Sequence, residues 1–440
     1  MRLTSPQLGF VTIISLGAPV LVQGTDAESV FADALDYTVR IKTSIETPFF
    51  EDYQGTVEGA GFIVDSERRW IVTNAHVVGH SPSTVKVALH DGKFQLAHKI
   101  YVDSYLDLAI LELPPVDDQR LVIAPLECIE GPGTGHPVGA FGHPYGLEYT
   151  GTQGVISGKT SKYGGELLQT DAPINGGNSG GPLISLSSGA VVGINTSSIA
   201  NASDQNTNFA VSIVHVCRVI DLLAAGMDPS PPELAFEFYD MPEKADPLIV
   251  AQIALGSDLS NLRLGDEIIA VGGSPIANEG QFIHALRGNL NDADIAVRRD
   301  GERIVIEGRF LPAPKITDRQ GVMFAGMLFA PRYLRNGGLN HGLPHNIMVH
   351  SVARGSEGDS SDVEEYDFLA SIDGIAITNL TQLHEILASV SDADSVQLDL
   401  LRIDFDNIRG RFFMPVRRNV APTMPEKVGA WDSTQLTRAD

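Results

Sequence analysis

The sequence of 440 residues is poor in cysteine and in basic residues. Its two cysteines, Cys128 and Cys217, exclude a disulfide framework and a four-thiolate zinc site. One bridge and two free thiols both fit the sequence. Lys and Arg number 31 against 55 Asp and Glu, a net charge of −24 that disfavours nucleic acid as the main partner. Apolar residues make up 43% and charged residues 20%, which is typical of a globular chain. A length of 440 residues allows about two to four domains.

After the N-terminus, no stretch approaches the roughly 20 apolar residues that a membrane span needs. The N-terminus itself has a short basic start at Arg2, an apolar run from Leu8 to Val22, and small residues ending at Gly24. This pattern predicts a signal peptide over 1–24 and a periplasmic or other extracytoplasmic location. A single N-terminal membrane anchor is the alternative, although Pro19 weakens a full span.

Residues from about 35 to 210 form short apolar runs separated by Gly, Pro, Asn and Asp. Many short strands with glycine-rich turns predict an all-β barrel or sandwich. Ser212 is a suitable cap for a closing helix, whose apolar residues recur at helical spacing before Gly226. The first domain is therefore predicted over 35–226.

A proline-rich linker at 228–232 leads into two weakly similar units, predicted over 233–311 and 318–420. Each runs strand, Gly-Ser turn, strand, tight turn, helix, with the helices expected at Glu279–Leu286 and Thr381–Val390. The polar, proline-containing stretch 421–440 is predicted to be a loose tail.

Three motifs of the first domain carry residues suited to acyl transfer. His76 follows a predicted strand in TNAHVV, Asp107 opens the apolar strand DLAIL, and Ser179 lies in the glycine-rich turn GGNSGG. A serine hydroxyl needs a base, imidazole can supply it near neutral pH, and a carboxylate can orient the imidazole. Each residue alone has an ordinary structural explanation, but the three together in one β-rich domain predict a catalytic triad.

A glycine-rich turn can also direct several backbone N–H groups at one point. The candidate donors to an oxyanion are the amides of Gly177, Asn178 and Ser179. No metal or organic cofactor is implied. The alternative zinc pairs, His76 with His80 and His341 with His345, lack the neighbouring Glu or carboxylate that such sites use. The remaining candidate, His143, is expected to shape a loop.

On TNAHVV (73–78), DLAIL (107–111), FGHPYGL (141–147) and LQTDAPINGGNSGGPLI (168–184), the chain resembles the HtrA/DegP family of trypsin-like serine proteases. The two following units resemble the PDZ domains that the family carries, most clearly in LRLGDEIIAVGGSPI at 262–276. The resemblance implies a mainly β fold: a chymotrypsin-like double β-barrel followed by two PDZ-like α+β domains.

The resemblance also implies a general base at His76, its orienting acid at Asp107 and a nucleophile at Ser179. Substrates would be unfolded or misfolded proteins, cleaved after aliphatic residues, with peptide C-termini bound by the PDZ-like domains and a trimeric assembly. It places the specificity pocket at Ile194, Asn195, Thr196 and Phe209. Two alternatives to a quality-control protease stay open: a latent or non-proteolytic chaperone or scaffold, and a sensor protease that makes one regulated cut.

Overall fold

The protein is described by a computed structural model that covers residues 26–90, 92–115, 121–160, 166–196, 207–239, 247–253, 261–332, 346–404 and 412–431. The predicted signal peptide therefore lies outside the described residues. Within them, no helix is both long and apolar enough to cross a membrane.

Two closed six-stranded barrels form the first part of the chain, which confirms the predicted mainly β fold. Their strands are short, and most bury apolar side chains. The first barrel consists of β1 (Thr38–Ile45), β2 (Gly55–Asp65), β3 (Trp70–Thr73), β4 (Thr84–Ala88), β5 (Gln95–Asp103) and β6 (Leu108–Glu112). The second consists of β7 (Pro137–Gly142), β8 (Thr150–Thr160), β9 (Leu167–Thr170), β10 (Pro182–Ser185), β11 (Val191–Thr196) and β12 (Asn208–Ser212).

Three helices accompany the barrels: α1 (Ala27–Tyr37), α2 (Ala75–Val78) and α3 (Ile213–Ala224). Helix α1 was not predicted; it buries Val30 and Ala34, and its Phe31 ring stacks on Phe141 at 5.6 Å. Helix α3 begins after Ser212 as predicted, although the Ser212 side chain makes no capping hydrogen bond.

The two cysteines form one disulfide, which settles the alternative that the sequence left open. It joins Cys217 on α3 to Cys128, in the segment that leads into the second barrel, across a separation of 89 residues. The bridge therefore fastens the closing helix to the barrel that precedes it.

The first PDZ-like domain is a mixed unit of one helix, α4 (Glu279–Leu286), and a twisted sheet. The helix bounds are the predicted ones. Its strands are β13 (Pro232–Glu233), β14 (Phe236–Phe238), β15 (Leu248–Ile253), β16 (Glu267–Val271), β17 (Ser274–Pro275), β18 (Ala293–Arg299), β19 (Glu302–Gly308) and β20 (Leu311–Pro312). In the described part of the chain, β14 lies at the edge of the order β14-β15-β16-β18-β19, and β13 pairs with β20.

The second PDZ-like domain repeats this order as β22-β23-β24-β26-β27 but adds two strands beyond β22. Its helices are α5 (Glu357–Ser360) and α6 (Leu380–Ser389), the latter one residue earlier than predicted. Its strands are β21 (Gln320–Phe324), β22 (Met327–Pro331), β23 (Ile347–Val352), β24 (Phe368–Ile372), β25 (Ile375–Ala376), β26 (Val396–Asp404), β27 (Phe412–Val420) and β28 (Glu426–Gly429).

The prediction of a loose tail from 421 is wrong over its first eleven residues. Strand β28 pairs with β21, and the Trp431 indole N–H donates to the Gly321 carbonyl at 2.8 Å. The Trp431 ring also packs against the core of this domain. The polar composition of residues 421–431 is compatible with the edge of a sheet as well as with a loose tail. It does not reveal that the partner strand, β21, lies about a hundred residues earlier in the chain.

Candidate active site

His76 reaches the domain surface through a one-turn helix that follows a buried strand. Strand β3 is buried at all four residues, and α2 starts directly after Asn74. The Asn74 side-chain amide donates to the backbone carbonyl of Asp107 at 2.9 Å, which joins the His76 segment to the loop before β6. About a third of the His76 side chain stays exposed (33%), so the imidazole borders the solvent.

Asp107 is the last residue of the β5–β6 loop and holds a positive φ of 52°. Its Oδ2 lies 2.8 Å from His76 Nδ1, and its Oδ1 accepts the His76 backbone N–H at 3.0 Å. The carboxylate therefore fixes both the helix start and the ring orientation. With the Nδ1 proton directed at Asp107, the imidazole can offer Nε2 as a base.

The pKa of His76 is raised above its usual value. Burial alone would lower it, but the charge of Asp107 and its hydrogen bond outweigh burial because they stabilise the imidazolium. This is the arrangement that a base needs if it is to hold a proton during acyl transfer.

Ser179 lies in the turn before β10 and is 4% exposed. Its carbonyl accepts the backbone N–H of Ala60 on β2 at 2.9 Å. Gly59 separates this carbonyl from the His76 helix: a Cβ built there would lie 3.0 Å from Ser179 O and 2.8 Å from the Val77 methyls. Ser179 is thus held against the barrel that carries His76 and Asp107.

The backbone around Ser179 depends on glycine. Gly177 has φ 103°, and a Cβ there would lie 2.2 Å from the His143 carbonyl oxygen. Gly180 has φ 85°, and a Cβ there would lie 2.1 Å from the Thr73 hydroxyl. Both positions therefore exclude a side chain through conformation and through contact.

Of the three predicted oxyanion amides, that of Asn178 is already used. It donates to the Asn175 carbonyl at 2.9 Å and closes the turn. Its inclusion as a donor is therefore wrong for this conformation, and the amides of Gly177 and Ser179 remain the candidates.

The side chains predicted to line the specificity pocket mostly make hydrogen bonds or core contacts outside any pocket. The Thr196 hydroxyl donates to Asp107 Oδ2 at 3.1 Å, so it supports the acid rather than a pocket wall. The Asn195 amide donates to the carbonyls of Phe141 and Pro182 at 3.3 and 3.0 Å. The side chains of Ile194 and Phe209 lie in the core. The β11–β12 pairing sets Thr196 opposite Phe209, a contact that sequence spacing does not reveal.

The other histidines do not form a metal site in the described part of the chain. His80 lies 3.4 Å from an Asp52 oxygen, and His341 and His345 fall outside the described residues. His143 shapes a loop as predicted: its Nδ1 accepts the Tyr149 N–H at 3.1 Å, and its Nε2 lies 3.3 Å from the Val39 carbonyl. Burial lowers the pKa of His143 to about 4, so the ring is neutral near pH 7.

A cavity of about 380 Å³ adjoins the serine turn. Gly176 and Gly177 form one side, and Arg40, Glu58 and Phe94 contribute to the rest. Its lining residues come from both barrels, so the cavity lies beside the backbone that precedes Ser179.

The paired barrels, the Asp107–His76 contact and the serine turn define a serine peptidase of the trypsin-like class. The trypsin-like peptidase domain family accordingly matches residues 59–194, which include all three predicted triad residues. A putative serine protease, HhoA, from Synechocystis is 32% identical over 305 residues, covering 60% of this chain and 74% of that protein. A probable periplasmic serine endoprotease, DegP-like, from Chlamydia muridarum is 29% identical, covering 75% of this chain and 70% of that protein.

The fold is also similar to a solved structure, the HtrA-type protease AlgW with a tripeptide. The TM-score is 0.53 at 24% identity, covering 64% of this chain and 98% of that one. The chain belongs to the HtrA/DegP family of serine proteases and is a serine endopeptidase.

Proposed function

We propose that Ser179 is the nucleophile, His76 the general base and Asp107 the acid that orients it. The observation that carries this assignment is the double contact of Asp107 with the ring and backbone of His76, beside the turn that holds Ser179. His76 Nε2 takes the Ser179 proton as the hydroxyl attacks the scissile carbonyl, and returns it to the leaving amine. His76 Nε2 then takes a proton from water as the water oxygen attacks the acyl-enzyme carbonyl, and returns it to the Ser179 oxygen as the ester bond breaks and the acid product leaves.

The oxyanion is assigned to the backbone N–H groups of Gly177 and Ser179. The positive φ of Gly177 turns its amide in a direction that other residues resist, and such donors act without reorganising during the reaction. Of the four residues predicted for the specificity pocket we retain Phe209, which keeps 7% of its surface exposed, as an apolar wall that suits an aliphatic side chain before the cut.

The proposed substrates are unfolded or misfolded proteins, as in protein quality control. An extended segment fits the cavity beside Gly176, whereas a folded domain would have to open first. The acidic surface, at a net charge of −24, disfavours acidic substrates at long range.

The PDZ-like domains are proposed to differ in peptide binding. PDZ domains add a peptide C-terminus as a strand beside a helix. In the first, the outer side of β14 has no partner strand among the described residues. In the second, β21 occupies the same side of β22, and its Val322 and Phe324 share a core with Leu383 and Leu387 of α6. A peptide with an apolar C-terminal residue should therefore bind one per chain by titration calorimetry, and two per chain would contradict the closed groove.

Casein digestion by the wild type and by Ser179→Ala tests the catalytic assignment. We expect digestion by the wild type only, because the variant keeps the fold but lacks the attacking oxygen. Ser188→Ala, on an exposed turn of the same barrel, is the matched control and should digest casein normally. Equal turnover by the wild type and Ser179→Ala would overturn the proposal. An inactive wild type that still binds casein would favour the chaperone.

The breadth of digestion distinguishes a quality-control protease from a sensor protease. We expect several unrelated unfolded proteins to be digested at many sites. A single cut in a single protein, seen by mass spectrometry, would favour the sensor.

The location is proposed to be extracytoplasmic, and more finely the periplasm after signal cleavage. Relatives are named periplasmic endoproteases, and the Cys128–Cys217 bridge suits an oxidising compartment. Cell fractionation with N-terminal sequencing tests this location.

The proposed trimer is tested by light scattering of the purified protein, where a monomer at all concentrations would exclude it.

A further inference from the structure

One buried arginine of the first PDZ-like domain reaches into the first barrel. Arg287 directly follows α4, and its side chain is fully buried (0% exposed). Its Nη1 lies 2.6 Å from Asp103 Oδ2, donates to the Tyr101 hydroxyl at 3.2 Å, and donates to the Pro229 carbonyl at 2.5 Å. Asp103 is equally buried, so both charges of this pair have lost their water.

Burial of such a pair seldom contributes much net stability, because desolvation costs several kcal/mol per ion. Removal of one partner is costly, however, since the other charge stays buried and unpaired. The pKa of Arg287 is raised: burial would lower it, but Asp103 and Tyr101 outweigh burial. The guanidinium is thus a permanent charge opposite Asp103.

The second carboxylate oxygen of Asp103 is hydrogen-bonded to the loop that leads to Asp107. Oδ1 accepts the backbone N–H groups of Tyr105 and Leu106 at 2.9 and 3.0 Å. Strand β5 ends at Asp103 and β6 starts at Leu108, and these two residues pair across the strands. The loop between them is residues 104–107, so the carboxylate that binds Arg287 also shapes the backbone that ends at Asp107.

Asp107 needs such support because its φ of 52° is sparsely populated by residues other than glycine. Conformations of this kind persist only where neighbouring contacts hold them. The Asp103 hydrogen bonds act on the two residues directly before it.

We propose that Arg287 is a positioning residue for catalysis, which acts through Asp103 on the loop that presents Asp107 to His76. The inference rests on the proposed triad. Arg287 lies in another domain and binds Asp103 rather than any reacting group, so its loss should lower kcat and leave KM unchanged.

The test uses the full chain with Arg287→Met, which keeps an apolar stem and removes the charge. We expect kcat to fall about a hundredfold, the scale of a displacement of roughly 1 Å at the reacting groups. The acid limb of the kcat–pH profile should move to lower pH, because a looser Asp107 raises the pKa of His76 less. His215 and His284, which stack beside this contact at 3.7 Å, have pKa values of about 4 and 2 and titrate below that limb.

Arg218→Met is the matched control. Arg218 on α3 donates to the Arg287 carbonyl at 3.3 Å, so its loss removes a contact at the same interface without touching Asp103. It should retain the wild-type kcat and pH profile. Arg287→Lys should recover part of kcat, since it restores the charge opposite Asp103 on a side chain that reaches less far than Nη1 does.

A double variant, Arg287→Met with Asp103→Asn, covers failure of the single variant to fold. The amide keeps an oxygen for the Tyr105 and Leu106 N–H groups and removes the unpaired charge, so kcat should rise above that of Arg287→Met, or become measurable. The proposal would be overturned if kcat of Arg287→Met were unchanged, or if its kcat fell while the acid limb of the pH profile stayed in place. It would also be overturned if kcat of Arg218→Met fell equally, or if the double variant folded but were inactive. Failure of the triad assignment is distinguishable, since Ser179→Ala would then retain activity in the same assay.

Discussion

The two barrels contribute to the site in different ways. The first supplies two side chains, His76 and Asp107, which are hydrogen-bonded to each other, and the Asn74 side-chain amide donates to the Asp107 backbone carbonyl. The second supplies a backbone shape, in which Gly177 and Gly180 take positive φ values against neighbouring carbonyl and hydroxyl groups. The contribution of the first barrel thus depends on which functional groups are present. That of the second depends also on glycine, because the turn that carries Ser179 needs two positions without a side chain.

The largest effect should come from changing one functional group in the first barrel. Asp107→Asn leaves the shape but removes the charge that holds the His76 tautomer. We expect kcat to fall about 10⁴-fold. Asp65→Asn, at the end of β2 in the same barrel, changes a carboxylate that pairs with Arg68 rather than with His76, and should stay within twofold of the wild type. An Asp107→Asn enzyme within tenfold of the wild type in a peptide-cleavage assay would remove Asp107 from the triad.

The corresponding change in the second barrel adds one methyl group. Gly177→Ala places Cβ 2.2 Å from the His143 carbonyl oxygen at φ 103°, so the turn must move, and with it an amide that we propose as an oxyanion donor. We expect kcat to fall about 10²–10³-fold. Gly176→Ala is the matched control, because a Cβ there meets open space and no positive φ is required. Equal kcat for the two variants would contradict the role of backbone shape.

The pH dependence measures the side-chain contribution without mutation. His76 must be neutral to act as a base, and Asp107 raises its pKa above the ordinary value of about 6.5. Activity should therefore fall as the pH drops through a midpoint above 6.5 and be full at higher pH. The initial rate of peptide cleavage from pH 5 to 9 checks this, and a midpoint below 6.5 would mean that burial outweighs the Asp107 charge.

The smallest effect on activity should come from the bridge that braces the second barrel. Cys128→Ser with Cys217→Ser leaves both contributions to the site in place, so kcat at 25 °C should stay within twofold. The free energy of unfolding should fall by about 2–4 kcal/mol, since the bridge closes a loop of 89 residues. Urea titration of both proteins measures this, and equal stability would show that the bridge adds no constraint.

The short strands of the first domain and the bounds of α4 could be predicted from the sequence, because local spacing and residue type determine them. The pattern alone left a barrel or a sandwich open, and the double barrel followed from the resemblance to the HtrA/DegP family. The triad stays a prediction from its motifs. The contact between the first barrel and the first PDZ-like domain could not be predicted from the sequence. The Asp103–Arg287 pair and the pairing of β21 with β28 join residues far apart in the chain, and periodicity reports burial without naming the partner. The hydrogen bond of Thr196 to Asp107 is a further example, since the two residues lie in different barrels and 89 positions apart.

The strand that covers β22 also has a consequence for solubility. A protein that handles extended chains risks pairing its own open sheet edges with them and with other copies of itself. In the second PDZ-like domain β22 and β21 are covered, and the edge on their side of the sheet is β28, which has four residues and begins Glu426-Lys427. Short, charged edges are poor templates for such growth, so this edge of the sheet is protected from pairing with the chains among which it would work.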